Sequence, residues 1–271
     1  ADATNVIEVA EGIYQLTALV DVNKQLTIQG KGRDNTIVEL SSSWFNVGGA
    51  IALKLNATGI IIKDIHFKVV GAGAGDILGL FYSDAQIRNN KFSGEYSVSS
   101  DPVTRATVWS ANAMTGIVMD NNIIESLRQP GYISNGSGVI SNNTFNLTRG
   151  WVIESAGTLA FTTNTWGTNS SHITILNLPN TNIAGLTINN NDFSGAKTDW
   201  VIDNRTAQVL NATCNWFGTD DYPTILPKNN GPTVVGPYLL TSNLSGACGG
   251  GPALPIALSV THEVASENIL V

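Results

Sequence analysis

Four times the chain places two adjacent asparagines within two residues of a bulky apolar residue. The stretches are "RNNKF" (88–92), "DNNIIES" (120–126), "SNNTFNL" (141–147) and "NNNDFSG" (189–195). One such pair marks a turn; a recurring pair marks a repeat. Aligning these stretches with "IIIKDIHF" (60–67), "LAFTTNTW" (159–166) and "VLNATCNWF" (209–217) gives a reference column. The column holds Asp64, Asn90, Asn122, Asn143, Asn164, Asn191 and Asn215, at spacings of 26, 32, 21, 21, 27 and 24. A period in the low twenties with variable excess belongs to a solenoid and is too short for a propeller blade. The segments before each pair alternate apolar and polar with period two, so the repeating unit is built of short strands. These features predict an all-β, single-domain, right-handed parallel β-helix.

Stacked coils repeat at about 4.8 Å. An asparagine at the same corner of every coil can hydrogen-bond to the asparagines above and below it, as amide ladders do. Asparagine also tolerates the left-handed backbone that a sharp corner needs. The column is therefore expected to be structural. The apolar residues that follow should turn inward and stack: Phe67, Phe92, Ile124, Phe145, Trp166, Phe193 and Phe217. Ten or so turns would make a stiff rod about 50 Å long. An open solenoid end exposes unpaired strand edges, so a cap is expected within residues 1–20. The parallel β-helix with its N-terminal cap is assigned to residues 1–244. Residues 245–271 are assigned to a Gly/Pro linker and a strand-like tail, "IALSVTHEVASENILV" (256–271). The longest step throws out residues 93–112, making Glu95, Tyr96, Asp101, Arg105 and Trp109 a candidate binding loop.

Lys and Arg total 14 against 21 Asp and Glu, and charged residues make up only 13% of the chain. Such a surface is unsuited to nucleic acid, which needs clustered cations, or to docking on anionic membranes. No apolar run is long enough to span a bilayer, and membrane insertion is not expected. The opening "ADATNVIEV" fits the start of an exported chain whose signal peptide has been removed. Two cysteines, Cys214 and Cys248, would be free thiols in a cytosolic protein and a disulfide in an exported one.

The corner pattern over residues 60–217 resembles the parallel β-helix repeat superfamily of extracellular and surface proteins and polysaccharide-active enzymes. "NATCNWFGT" followed by "VVGPYL" is similar to the end of the coils in bacterial surface β-helix proteins, with Phe217 where a second tryptophan is usual. "NVIEVAEGIYQL" and "KQLTIQGKG" resemble the opening coils of such proteins. "HEVASENILV" resembles the segment ahead of the sorting domain in cargo of the type IX secretion system. That likeness implies a mature surface or secreted form.

Chemistry is harder to find. Asp220-Asp221 is the one carboxylate pair of the kind glycosidases use, but adjacent residues on a strand point to opposite faces, and a turn is expected there. Asp64 and His66, two apart, should share a strand face. No nucleophile motif, zinc spacing, phosphate loop or calcium nonapeptide is present in the sequence, and no catalytic residue, metal or cofactor is expected. The leading expectation is a non-enzymatic extracellular protein, a surface adhesin or a filament or coat subunit that assembles with itself through its ends or tail. The alternative is a carbohydrate-binding or lyase-like β-helix with a surface glycan as partner. Solvent-facing Trp109, Trp151 or Trp200 along one face would favour the alternative.

Overall fold

The computed structural model describes residues 5–41, 50–71, 75–95, 106–154, 156–167, 175–177, 179, 182–196 and 200–251. They form a parallel β-solenoid of about eight turns with three strand-bearing faces. Strands are numbered along the chain. Face one stacks β1 (Val6–Glu8), β4 (Thr27–Gln29), β7 (Ile61–Lys63), β10 (Gln86–Arg88), the ends of β12 (Ala106–Asp120) and β14 (Gln129–Ser141), β17 (Ala156–Thr162), β20 (Leu186–Asn189), β22 (Leu210–Asn211) and β24 (Thr233–Val234). Face two stacks β2 (Gly12–Leu16), β5 (Thr36–Ser41), β8 (His66–Val70), β11 (Lys91–Ser93), β13 (Ile123–Glu125), β15 (Thr144–Asn146) and β18 (Thr165–Trp166). Single bridges at Asp192 and Trp216 continue it. Face three stacks β3 (Val20–Val22), β6 (Ile51–Leu55), β9 (Asp76–Leu80), the starts of β12 and β14, β16 (Trp151–Ile153), β19 (Ile175–Asn177), β21 (Ile202–Asn204) and β23 (Asn229–Asn230).

Register holds the inward side chains in files. On face one Ile28, Ile62, Ile87, Met119, Ile140, Phe161 and Ile188 follow one another. On face two the file is Phe67, Phe92, Ile124, Phe145, Trp166, Phe193 and Phe217, every one buried. Ring centroids along it lie 4.7 Å apart for Phe145–Trp166 and Trp166–Phe193, and 5.6 Å for Phe193–Phe217. That is the inter-strand repeat itself, so the rings stack because the backbone does. On face three Gly131 leaves room for Trp151: a Cβ there would come within 2.0 Å of the indole.

The asparagine pair divides its labour. The first member occupies the left-handed region, at φ 54° for Asn89, 53° for Asn121, 56° for Asn142 and 54° for Asn190, with Thr163 at 54° and Cys214 at 57° in the same corner. The second member is buried and forms the ladder. Asn122, Asn143, Asn164, Asn191 and Asn215 each accept at Oδ1 from both the backbone N–H and the Nδ2 of the ladder asparagine one coil earlier, at 2.9–3.3 Å. Each Nδ2 also donates to a main-chain oxygen, such as Ile87 O from Asn122 and Met119 O from Asn143. Every buried polar atom of the column is thereby engaged, which burial requires.

Asp64 departs from its expected place. Pairing of His66 with Lys91 and Phe67 with Phe92 sets it opposite Asn89, one residue before the ladder. It sits in the left-handed corner at φ 63°, where Asn89 Nδ2 donates to its carboxylate. The ladder position belongs to Ile65, whose N–H donates to Asn90 Oδ1 at 3.1 Å. A carboxylate there would have no N–H for the carbonyl behind it. The rod is also shorter than expected, about eight turns and roughly 40 Å. Beyond Trp216 the chain adds one partial coil, β23 and β24, among the residues that build the end.

The two ends differ. At the C-terminal end a short helix α1 (Tyr222–Ile225), with Asp221 at its N-cap position, runs into a 3-10 turn (Leu226–Lys228). Lys228 Nζ donates to Phe217 O at 2.8 Å, and Tyr238 hydroxyl donates to Asp220 O at 2.9 Å. β25 (Tyr238–Leu239) pairs antiparallel with β26 (Cys248–Gly250). A disulfide joins Cys214, in the corner file, to Cys248, 34 residues later. Closing a loop of that length is worth about 4 kcal/mol in the chain-entropy account. Residues 245–251 are therefore bound into the end of the solenoid rather than forming a free linker. The rest of the tail, 252–271, lies outside the described residues. At the other end the part of the expected cap in residues 1–4 lies outside the described residues, and residues 5–22 form no cap. They are the first coil, and its inward Ile7, Tyr14 and Val20 stand 51%, 39% and 38% exposed.

Candidate functional site

The outward side of face three carries the main aromatic cluster with solvent access. Along β6, β9, β12, β14 and β16 the inward positions are taken by Leu53 and Leu55, Leu78 and Leu80, Val108, Ile133, and Trp151 and Ile153, all buried. Strand alternation turns the residues between them outward. In register these are Lys54, Gly79, Trp109, Tyr132 and Val152. Phe81 and Glu154 follow two residues after Gly79 and Val152. The row crosses five strands, about 19 Å at the inter-strand spacing.

Its geometry follows from one small residue. A Cβ at Gly79 would lie 3.0 Å from Phe81 Cε2 and 3.0 Å from Ile51 Cδ1. Glycine thus lets the Phe81 ring lie close over the strand. Trp109 meets that ring edge to face, with centroids 5.8 Å apart at 71°. Lys54 Nζ stands 4.7 Å over the centroid of Phe81 from the adjoining coil, a cation–π contact. On the next coil Tyr132 donates its hydroxyl to Glu154 Oε1. Phe81, Trp109, Tyr132, Lys54 and Glu154 are all half-buried, so each keeps one side open to solvent. Three aromatics flanked by one ammonium and one carboxylate make an amphipathic strip with hydrogen-bonding groups at both ends.

The expected loop is assembled differently. Trp109 is in strand β12 rather than in an excursion, and it joins the strip. Glu95 is exposed, and its Oε1 accepts from the Gly71 N–H at 3.0 Å, away from the strip's register. Tyr96, Asp101 and Arg105 lie outside the described residues. Trp151 is fully buried, and Trp200 is 42% exposed but precedes β21 and is not in the row. Sequence reasoning missed Phe81, Tyr132, Lys54 and Glu154. Their signal was the alternation within strands, visible only once the register of face three was known.

The other titratable groups do not converge. Asp64 and His66 do not share a face, because the left-handed corner at Asp64 turns the chain between them. His66 lies outward on face two with Nε2 2.7 Å from Ser93 Oγ. Burial first, then the neighbouring Lys91 charge, pushes its pKa down to about 4. Lys91 pairs with Glu125 at 2.7 Å and Lys68 with Glu39 at 2.9 Å. On face one Arg88 reaches Asp120 at 3.5 Å. Among the described residues no group of three or more His, Cys, Asp or Glu is placed to hold a metal ion.

In comparisons with known proteins, no family model, no curated protein and no solved structure matches the chain.

Proposed function

We propose that this is an extracellular, non-enzymatic β-solenoid that binds a glycan along face three, an adhesin in the broad sense. The observation that carries the reading is the strip of Phe81, Trp109 and Tyr132 on consecutive coils, held by a rigid sheet. Aromatic faces receive the apolar face of a pyranose ring, and the flanking Lys54 and Glu154 supply hydrogen bonds to hydroxyls. One cation balanced by one carboxylate fits a neutral oligosaccharide better than a polyanionic one, which calls for clustered Arg and Lys. The disulfide between Cys214 and Cys248 supports export, because such bonds persist in oxidising compartments. The likeness of the corner pattern to extracellular β-helix proteins points the same way.

The test is a glycan array followed by titration calorimetry on the hits, with Trp109→Ala alongside the unaltered chain. Binding to a neutral glycan that weakens at least tenfold in the variant is expected. Binding indifferent to Trp109 would remove the strip from the account. Cleavage of the bound glycan during the titration would replace the non-enzymatic reading with an enzymatic one.

A further inference from the structure

Arg205 stands in line with the aromatic strip, although it comes from a coil well beyond it. The residues just after β9, β16 and β21 each donate their N–H to the coil before. Phe81 does so to Leu55 O at 3.1 Å, Glu154 to Ile133 O at 2.8 Å and Arg205 to Asn177 O at 3.2 Å. The three residues thus occupy one file along the rod, on the outward side of face three. Register carries the neighbouring row on in the same way, from Tyr132 through Val152 and Leu176 to Asp203. Arg205 lies five coils from Phe81 and four from Trp109, about 24 Å and about 19 Å at the inter-strand spacing.

Asp203 holds this arginine in place. Its carboxylate is fully buried, an expensive position unless its oxygens are bonded. Oδ2 accepts from Arg205 Nε at 2.7 Å, and Oδ1 accepts from Asn230 Nδ2 at 2.8 Å. Arg205 itself is 46% exposed. Among the described residues the N–H groups of its two Nη atoms have no partner. A planar fork pinned at Nε and open at its other edge is pre-organised to donate two parallel hydrogen bonds. With Asp203 beside it the fork carries no net charge, just as Lys54 and Glu154 balance each other along the strip. Vicinal hydroxyls of a pyranose ring accept such a pair of bonds without bringing charge.

A ligand that uses both places has to be straight. An extended β-1,4-linked chain of neutral pyranoses advances by about one sugar per coil, ~5 Å. An α-1,4-linked chain winds away from a straight row. We propose that the glycan site of face three continues to Arg205 and takes a linear, neutral β-1,4-linked polysaccharide. Arg205 bonds vicinal hydroxyls about four sugars from the ring stacked on Trp109. The proposal rests on the glycan reading and narrows it to a chain of about six sugars or more.

The experiment is titration calorimetry with cellotriose and cellohexaose, and with β-1,4-mannotriose and β-1,4-mannohexaose. The proteins are the unaltered chain, Arg205→Ala and Arg205→Lys. Lysine keeps a cation beside Asp203 but lacks the fork, so this variant leaves no buried carboxylate unpaired. In at least one series the hexasaccharide is expected to bind about tenfold more tightly than the trisaccharide. Both variants should lose that gain and leave trisaccharide binding as it was. Equal affinities for the two lengths, a gain that survives in both variants, or no binding by either hexasaccharide would each overturn the proposal. Trp109→Ala keeps the two readings separate. Binding that depends on Trp109 but ignores chain length and Arg205 leaves the strip standing and removes only its extension.

Discussion

Asn142 and Asn143 are neighbours in sequence with opposite physical tasks, and substituting each in turn measures the division. Asn143 is 1% exposed. Its Oδ1 accepts the Asn122 N–H and Nδ2, both at 2.9 Å, and its Nδ2 donates to Met119 O and Asn164 Oδ1, both at 3.0 Å. Asn143→Ala leaves the Asn122 N–H buried without an acceptor, a cost of about 1–3 kcal/mol, and removes three further amide bonds at about 1 kcal/mol each. Some relaxation recovers part of this, so a loss of about 3–5 kcal/mol is expected. Asn142 has its φ at 56° and bonds to Asp120 Oδ1 and Thr163 Oγ1, both at 2.8 Å, on the surface. Asn142→Gly keeps the left-handed corner without strain and should cost at most about 1 kcal/mol. Asn142→Ala should cost about 1 kcal/mol more than that, because alanine resists the left-handed region. Urea unfolding followed by tryptophan fluorescence gives all three. Equal losses at the two positions, or a loss under about 1 kcal/mol for Asn143→Ala, would mean that the ladder follows from the fold and does not hold it.

Two further perturbations test single groups. Asn177 is fully buried on face three, and among the described residues neither its Oδ1 nor its Nδ2 has a hydrogen-bond partner. It stands in register with Ile153, so Asn177→Leu should raise the urea midpoint, with a gain of about 1–2 kcal/mol. His66 is held neutral in the folded state, with its pKa down at about 4, while unfolded histidine titrates near its ordinary value. The unfolded state therefore binds the proton first as pH falls. The stability His66 permits is complete above about pH 6.5 and is lost progressively towards pH 4. Discounted for the residue's partial exposure, the loss is on the order of 1 kcal/mol. His66→Gln should flatten that stretch of a stability–pH profile; an unchanged slope would place the titrating group elsewhere.

The solenoid and its inward files were legible because both depend on local pattern. Period-two strands and the recurring pair put Phe92, Phe145 and Phe193 inside without knowledge of any contact. Ladder membership at Asp64 was not legible, since an aspartate satisfies the corner's need for a left-handed residue but not the ladder's need for a donor. A one-residue offset separates the two needs, and the pair "KD" hid it. The aromatic strip was hidden for a different reason. Phe81, Trp109 and Tyr132 are 28 and 23 residues apart and share no motif. They become neighbours only through the pairing of β9, β12 and β14, which the irregular lengths between coils obscure. The expected cap was an inference from general need and had no residues behind it; residues 5–22 proved to be strands of a coil.

The asparagine corner also determines where this chain can change length. From the coil of Ile62 onward coil-to-coil steps vary, yet the variation falls away from that corner, because an inserted residue there would push a carboxamide out of line with both of its neighbours. The connections leading from face two to face three carry no such column. A foreign peptide placed there, for instance after Ser93, would be displayed at the side of the rod while the asparagine spine kept every coil in step.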